Sequence, residues 1–242
     1  STDIRGALLF PNDWQVENRK LLTGLKRYAE INGIEIREDS AVEQLIVEDN
    51  RVTGARTATE TFYAAETILA TGAWTSLIKL GDAEMPLKVE PVRGQIIAFQ
   101  TAKRLFGHVI YSRRGYIVPR ADGRILAGST SENVGFEKEV TDTAADALRQ
   151  MAAEIAPNLS SLAITDHWSG LRPFAMDGLP VLGQLNGISG LTIATAHYRN
   201  GILLAPLTAQ IVADKVLNNI EPSYITAFSP DRFRLRRVGQ VS

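Results

Sequence analysis

The sequence has no cysteine. That single absence removes a disulfide scaffold, a thiolate metal site and a cysteine nucleophile. It is also what a reducing compartment permits, and a cytoplasmic location is the expectation. Histidine is scarce: His108, His167 and His197 have no ligand spacing, so a metal centre is not expected. Charge of one sign is missing too. The 26 basic and 27 acidic residues leave a net charge of −1, which gives no footprint for nucleic acid or an anionic membrane. No apolar run approaches the roughly 18 residues of a membrane span. No basic-then-apolar leader opens the chain, and no methionine starts it.

What is present is ordinary for a folded chain. Hydrophobic residues make up 45% of the 242 and charged residues 22%, enough for a substantial core. Residues 17–32 carry Leu21, Leu22, Leu25, Tyr28 and Ala29 at helical spacing, with Gly33 placed as a C-terminal cap. Strands are expected at 34–37, 42–48 and 51–57, with Asp49-Asn50 as a two-residue hairpin turn. A buried strand fits 67–71, closed by Gly72, and a short helix 73–80. Strand patterns follow at 95–100, 108–112, 116–119 and 124–127, with Asp122-Gly123 as a turn. A second amphipathic helix is expected over 143–155, capped by Thr143 with Asp146 and stopped before Pro157. Further strands fit 162–168 and 191–196, and an apolar helix fits 202–217 with Pro206 near its start. The pattern predicts an α+β (mixed α/β) fold of two lobes, the first and last segments sharing one.

Nucleotide and nucleophile signatures are absent. The sequence contains neither G-x-x-x-x-G-K-[ST] nor G-x-G-x-x-G, and Gly128-Ser129-Thr130-Ser131 lacks the second glycine of a nucleophile elbow. Three local features have chemical potential. In Ala196–Pro206 a buried strand ends, a polar loop follows and an apolar helix begins. This reads either as a plain helix start with Asn200 as N-cap and Gly201 as a tight entry, or as a helix N-terminus offering amides to an anionic or carbonyl-rich ligand. Arg172, at the end of an apolar strand, reads as a carboxylate fork or as a structural ion pair. Tyr116 reads as a packed strand residue or as a hydroxyl presented to a ligand.

The order of several motifs resembles the glycine oxidase and D-amino-acid oxidase-like family of FAD-dependent oxidoreductases, most nearly the glycine oxidases of thiamin biosynthesis. These motifs are Asp13–Arg19, Ala70–Trp74, Pro91–Gln95, Tyr116–Arg120, Gly170–Pro173, Asp177–Pro180 and His197–Gly201. The resemblance spans about residues 7–235. It implies a partial FAD-binding lobe from residues 1–88 and 190–242, and an antiparallel substrate domain from 89–189. It implies that Arg172 clamps the substrate carboxylate, that Tyr116 adds a hydrogen bond, and that Arg199 and Ser131 line the substrate pocket. It places Val42, Thr71, Gly72, Trp74, His197, Tyr198, Arg199, Asn200, Gly201, Ile202 and Leu203 against FAD.

The family's opening βαβ unit with its glycine-rich pyrophosphate loop has no counterpart here. The chain is expected to be the C-terminal two-thirds of such an enzyme, as a fragment, a truncated product or one of two chains. The implied reaction is oxidation of glycine, a small amine or a D-amino acid by FAD and dioxygen to an oxo acid, ammonia and hydrogen peroxide. Two alternatives remain: a subunit of a multi-chain amino-acid or sarcosine dehydrogenase that takes its glycine-rich unit from a second chain, and a cofactor-less binding remnant.

Overall fold

A computed structural model describes residues 4–235. Its elements run α1 (Asn18–Ile31), β1 (Val42–Glu48), β2 (Arg51–Thr57), β3 (Thr61–Tyr63), β4 (Thr67–Leu69), β5 (Lys79–Leu80), β6 (Val89–Gln100), β7 (Ile110–Tyr111), β8 (Tyr116–Pro119), β9 (Arg124–Gly128), α2 (Asp142–Ile155), β10 (Ile164–Ala175), β11 (Val181–Gly183), β12 (Leu191–Thr195), α3 (Gly201–Asn218) and α4 (Arg232–Leu235). The described residues thus form a mixed α/β fold with three sheets, ordered β3-β2-β1-β5, β10-β6-β9-β8-β7 and β11-β12-β4. It forms two compact units. The first comprises Ser1–Lys26 and Val92–Leu171, the second Arg27–Pro91 and Arg172–Ser242. Residues 1–3 and 236–242 of the lobe expected to bind FAD lie outside the described residues.

In the first unit, β6, β9, β8 and β7 pair antiparallel as successive neighbours. Ile97, Phe99, Ile117 and Ile125 of this sheet pack on Leu148, Met151 and Ala152 of α2. That helix starts at Asp142, one residue before the expected 143. The N-cap is Thr141, whose Oγ1 accepts from the Ala144 amide, so the expected Thr143–Asp146 pair does not form. A capping side chain must sit outside the helix, and Thr143 is already inside it.

The second unit holds the β1–β2 hairpin. Asp49 and Asn50 both have positive φ, 48° and 60°, which is the type I′ geometry that matches strand twist. Leu45, Val52, Leu69, Ile78, Leu191 and Ile193 form its core. Gly190 enters β12 at φ +72°, where an added Cβ would lie 2.4 Å from the Val52 carbonyl oxygen, so only glycine fits. Here too α1 ends. Gly33 at φ +69° donates to the Glu30 carbonyl while Ile34 donates to that of Ala29, a Schellman closure.

Three expectations for this unit are corrected. Residues 34–37 form no ladder, because alternating apolar side chains do not supply a partner edge. The segment expected as a helix over 73–80 is a 3-10 turn, Gly72–Leu77, followed by β5 pairing parallel to β1. Pro206 falls in the second turn of α3 rather than the first, which removes the amide that the Ile202 carbonyl would accept from.

Candidate functional site

Two neighbouring strands of the second unit, β4 and β12, run parallel, with Leu191 opposite Thr67 and Ile193 opposite Leu69. Their carboxyl ends therefore release two loops side by side, the position at which parallel α/β sheets receive ligands. One loop is Thr71–Leu77, the other Ala196–Asn200 leading into α3.

A threonine ladder ties the loops together. Thr71 Oγ1 and Thr75 Oγ1 lie 3.1 Å apart, Thr75 Oγ1 and Thr195 Oγ1 2.9 Å apart, and both Thr75 and Thr195 donate to the Gly72 carbonyl. Thr75 and Thr195 are buried. Buried hydroxyls are costly unless satisfied, and the Gly72 carbonyl together with the neighbouring hydroxyls supplies an acceptor for each single proton. Sequence reasoning missed both residues. The available signal was a threonine within each of two short runs, Gly72–Leu77 and Leu191–Ala196.

The second loop is strained. Ala196 and Tyr198 have φ of 60° and 48°, which non-glycine residues adopt only when surroundings hold them there. Phe174 on β10 packs edge-on against the Tyr198 ring at 5.1 Å, and the Arg199 guanidinium sits 5.7 Å from the same ring. Thus Arg172, half-buried and two residues before Phe174, belongs to a strand whose end is joined to the 198–200 turn. His197 Nε2 lies 2.9 Å from Thr208 Oγ1, one link between the loop and α3.

Asn200 does not act as an N-cap: its side chain makes no cap hydrogen bond, and Gly201 is already helical at φ −55°. The plain capped-helix reading is therefore not what the structure shows. A 3-10 turn, Tyr198–Asn200, runs directly into α3, and no side-chain cap covers the positive end of the helix dipole. Around it stand apolar side chains that the chain leaves uncovered: Trp74 is 44% exposed, Ile202 51% and Leu203 78%. A positive helix end beside exposed apolar and aromatic surface suits a flat ring edged with carbonyl acceptors, and the residues present fit the isoalloxazine of FAD in this respect. Gly72, at φ +54°, has nothing within 4 Å of where a Cβ would stand, so the backbone there is open to close approach. Val42 begins β1 and is half-buried.

The remaining expected residues lie in the first unit. Tyr116 is half-buried on β8, stacked on Tyr111 with ring centroids 6.0 Å apart, and its hydroxyl lies over Gly128 of β9. Ser131 is exposed on the segment after β9. Beside it is a polar network that the sequence reading had taken only as a family motif. Arg93, 5% exposed, donates to Glu132 at 2.6 Å and to the Glu139 carbonyl at 2.9 Å. Gln95 donates to Glu132 at 2.9 Å and accepts from the Thr141 amide. Burial pushes the Glu132 carboxyl up, but hydrogen bonds from Thr130, Arg93 and Gln95 prevail and hold it below the usual carboxylate range.

Burial also pushes the His197 imidazole below its ordinary value of 6.5. The unfolded chain then binds a proton that the folded chain refuses. The stabilising effect is complete above about pH 6.5 and is lost as the pH falls below it. The thermal midpoint is expected to fall on acidification through this range, and His197→Gln to make that fall shallower. An unchanged pH slope in the variant would show that His197 does not titrate against folding.

Among the described residues, no group of His, Asp and Glu could hold a metal ion, and no helix is long and apolar enough to cross a membrane. The fold and loops define a mixed α/β protein of the flavin-oxidoreductase type. The family profile described as FAD dependent oxidoreductase matches residues 1–215, and the chain belongs to that family.

It is 37% identical over 209 residues to glycine oxidase of Pseudomonas putida, covering 86% of this chain and 56% of that protein. It is 36% identical over 236 residues to the bifunctional protein ThiO/ThiG of a Synechocystis strain, covering 96% of this chain and 35% of that one. The solved structure of glycine oxidase from Geobacillus kaustophilus superposes with a TM-score of 0.84 at 31% identity, over 92% of this chain and 60% of that one. The chain therefore spans little more than half the length of the glycine oxidases it matches.

Proposed function

We propose that this chain carries the ring-facing and substrate-facing part of an FAD-dependent oxidase that converts glycine, or a small amine or D-amino acid, to an oxo acid, ammonia and hydrogen peroxide. The observation that carries the reading is the pair of loops fixed by Thr71, Thr75 and Thr195 at the ends of β4 and β12, opening on the uncapped start of α3. Relatives named glycine oxidase support the substrate class. Thiamin biosynthesis is the setting we infer from the motif resemblance.

The chemistry that FAD would supply when held here is hydride acceptance from the substrate carbon and reoxidation by dioxygen. The chain's own residues bind and orient. In the second unit Arg172 would clamp the substrate carboxylate through two parallel hydrogen bonds and Arg199 would add a contact; for Tyr116 and Ser131 of the first unit, substrate contacts are what the family resemblance implies. Trp74, Ile202 and Leu203 exclude water from the ring. The amides following Asn200 and Gly201 favour negative charge beside them. Val42, Thr71, Gly72, His197 and Tyr198 hold the rest of the cofactor.

No G-x-G-x-x-G occurs among the 242 residues, so the pyrophosphate cradle comes from a glycine-rich βαβ unit outside them, in the same polypeptide or in a second chain. The uncovered apolar side chains agree with this. None of α1 is buried, although Leu21, Leu22, Leu25 and Tyr28 form an apolar face, and only Ile211 and Val212 of α3 are buried.

The test is the visible spectrum of the purified chain, alone and co-expressed with the glycine-rich N-terminal segment of a glycine oxidase, with FAD assayed in the denatured supernatant. Flavin absorbance and released FAD in either preparation are expected. A protein colourless in both contradicts the reading.

A further inference from the structure

We propose that a crevice of about 530 Å³ in the first unit, lined by Gln15, Glu17, Lys20, Arg104, Arg120 and Asp122, binds a small dianion, either a phosphate monoester or a dicarboxylate. The charges around it do not balance. Two carboxylates, Glu17 and Asp122, face four cations, Lys20, Arg104, Arg120 and Arg124. Arg124 engages both carboxylates, donating to Glu17 at 2.8 Å and to Asp122 at 3.0 Å. The hydrogen bond from Arg124 holds the Asp122 carboxyl below its usual range, so it stays ionised and paired.

Arg120 stands 3.5 Å from Glu17, and its side chain is 12% exposed. Its Nη1 donates to Gln15 Oε1 at 2.9 Å and to the Val16 carbonyl at 3.0 Å, while its buried Nε has no hydrogen-bond partner. The Nε is the atom turned to the Glu17 carboxylate, so the guanidinium is held in place on two sides.

Lys20, in the first turn of α1, and Arg104 have no ion pair among the described residues. Arg104 spends Nε and Nη2 on the carbonyls of Phe106 and Gly107, at 2.9 and 2.7 Å, which fixes its plane and leaves Nη1. The surplus of two positive charges is what a dianion neutralises. Two guanidiniums already held in place, those of Arg104 and Arg120, would lower the ordering cost of binding it. The reading does not depend on the oxidase activity, since none of these six residues has a role there.

Titration of the chain with inorganic phosphate and, separately, with succinate, by calorimetry at low ionic strength against matched chloride, tests the site. Saturable one-to-one binding of at least one probe is expected. Phosphate alone would mark a phosphate monoester site and succinate alone a dicarboxylate site. Loss of a charged hydrogen bond costs about tenfold in affinity. Lys20→Ala with Arg104→Ala together should weaken binding at least about tenfold in a chain that circular dichroism shows still folded. Arg113→Ala, at an exposed arginine outside the crevice, should leave it intact. No saturation beyond the chloride control, or equal affinity in the double variant, overturns the proposal.

Discussion

Arg172→Ala is expected to raise the KM for glycine about a hundredfold, with a smaller fall in kcat, when the FAD-loaded oxidase is assayed by peroxide release. Two charge-assisted hydrogen bonds to a carboxylate are worth about 3 kcal/mol together, which is about two factors of ten in affinity. Lysine would restore charge but not the fork, so Arg172→Lys should recover only part of the loss. Because Phe174 is joined to Tyr198, a backbone shift in β10 would also disturb the 198–200 turn. The spectrum of bound flavin separates the two causes. It should be unchanged in Arg172→Ala, and an altered spectrum with an unchanged KM would remove Arg172 from substrate binding.

Glu132→Ala is expected to cost about 3 kcal/mol of stability, at the low end of what breaking a buried ion pair costs. The Arg93 side chain is 6% exposed and that of Glu132 24%, so the pair is well shielded on the arginine side. Removing the carboxylate strands a buried guanidinium and also takes an acceptor from Gln95 and Thr130. Glu132→Gln keeps the shape and one acceptor and should lose less. Denaturant unfolding followed by circular dichroism reads both. Equal stability of Glu132→Ala and the parent would mean that the network contributes nothing net. The same linkage predicts acid sensitivity. Glu132 sits below its usual range in the folded chain, so its contribution holds at neutral pH and is lost as the pH falls through that lowered value.

These two residues mark different limits of sequence legibility. Arg93-Gly94-Gln95 stood out as a motif, yet its role needed the partner Glu132, 39 residues away, which no local pattern announces. Patterns with a short-range cause came through. The β1–β2 hairpin follows from two turn residues that tolerate positive φ, β8 from its alternation, and the Gly33 closure of α1 from a residue without Cβ.

Elements set by distant partners did not come through. Residues 34–37 alternate like a strand but pair with nothing, and the expected helix over 73–80 yields to a 3-10 turn held by Thr195 from another part of the chain. The same applies to the site. Its two loops could be located from the sequence, since both follow buried strands, one containing Gly72 and the other ending at Gly201. The ladder that locks them, and the missing Asn200 cap, are tertiary facts.

The most direct measurement of the central claim is anaerobic addition of glycine to the FAD-loaded protein, obtained with the glycine-rich segment if needed, while the flavin absorbance is followed. The account predicts bleaching by glycine or another small amino acid, and return of the colour with peroxide when air is admitted. A flavin that stays oxidised with glycine, sarcosine and small D-amino acids alike would contradict it.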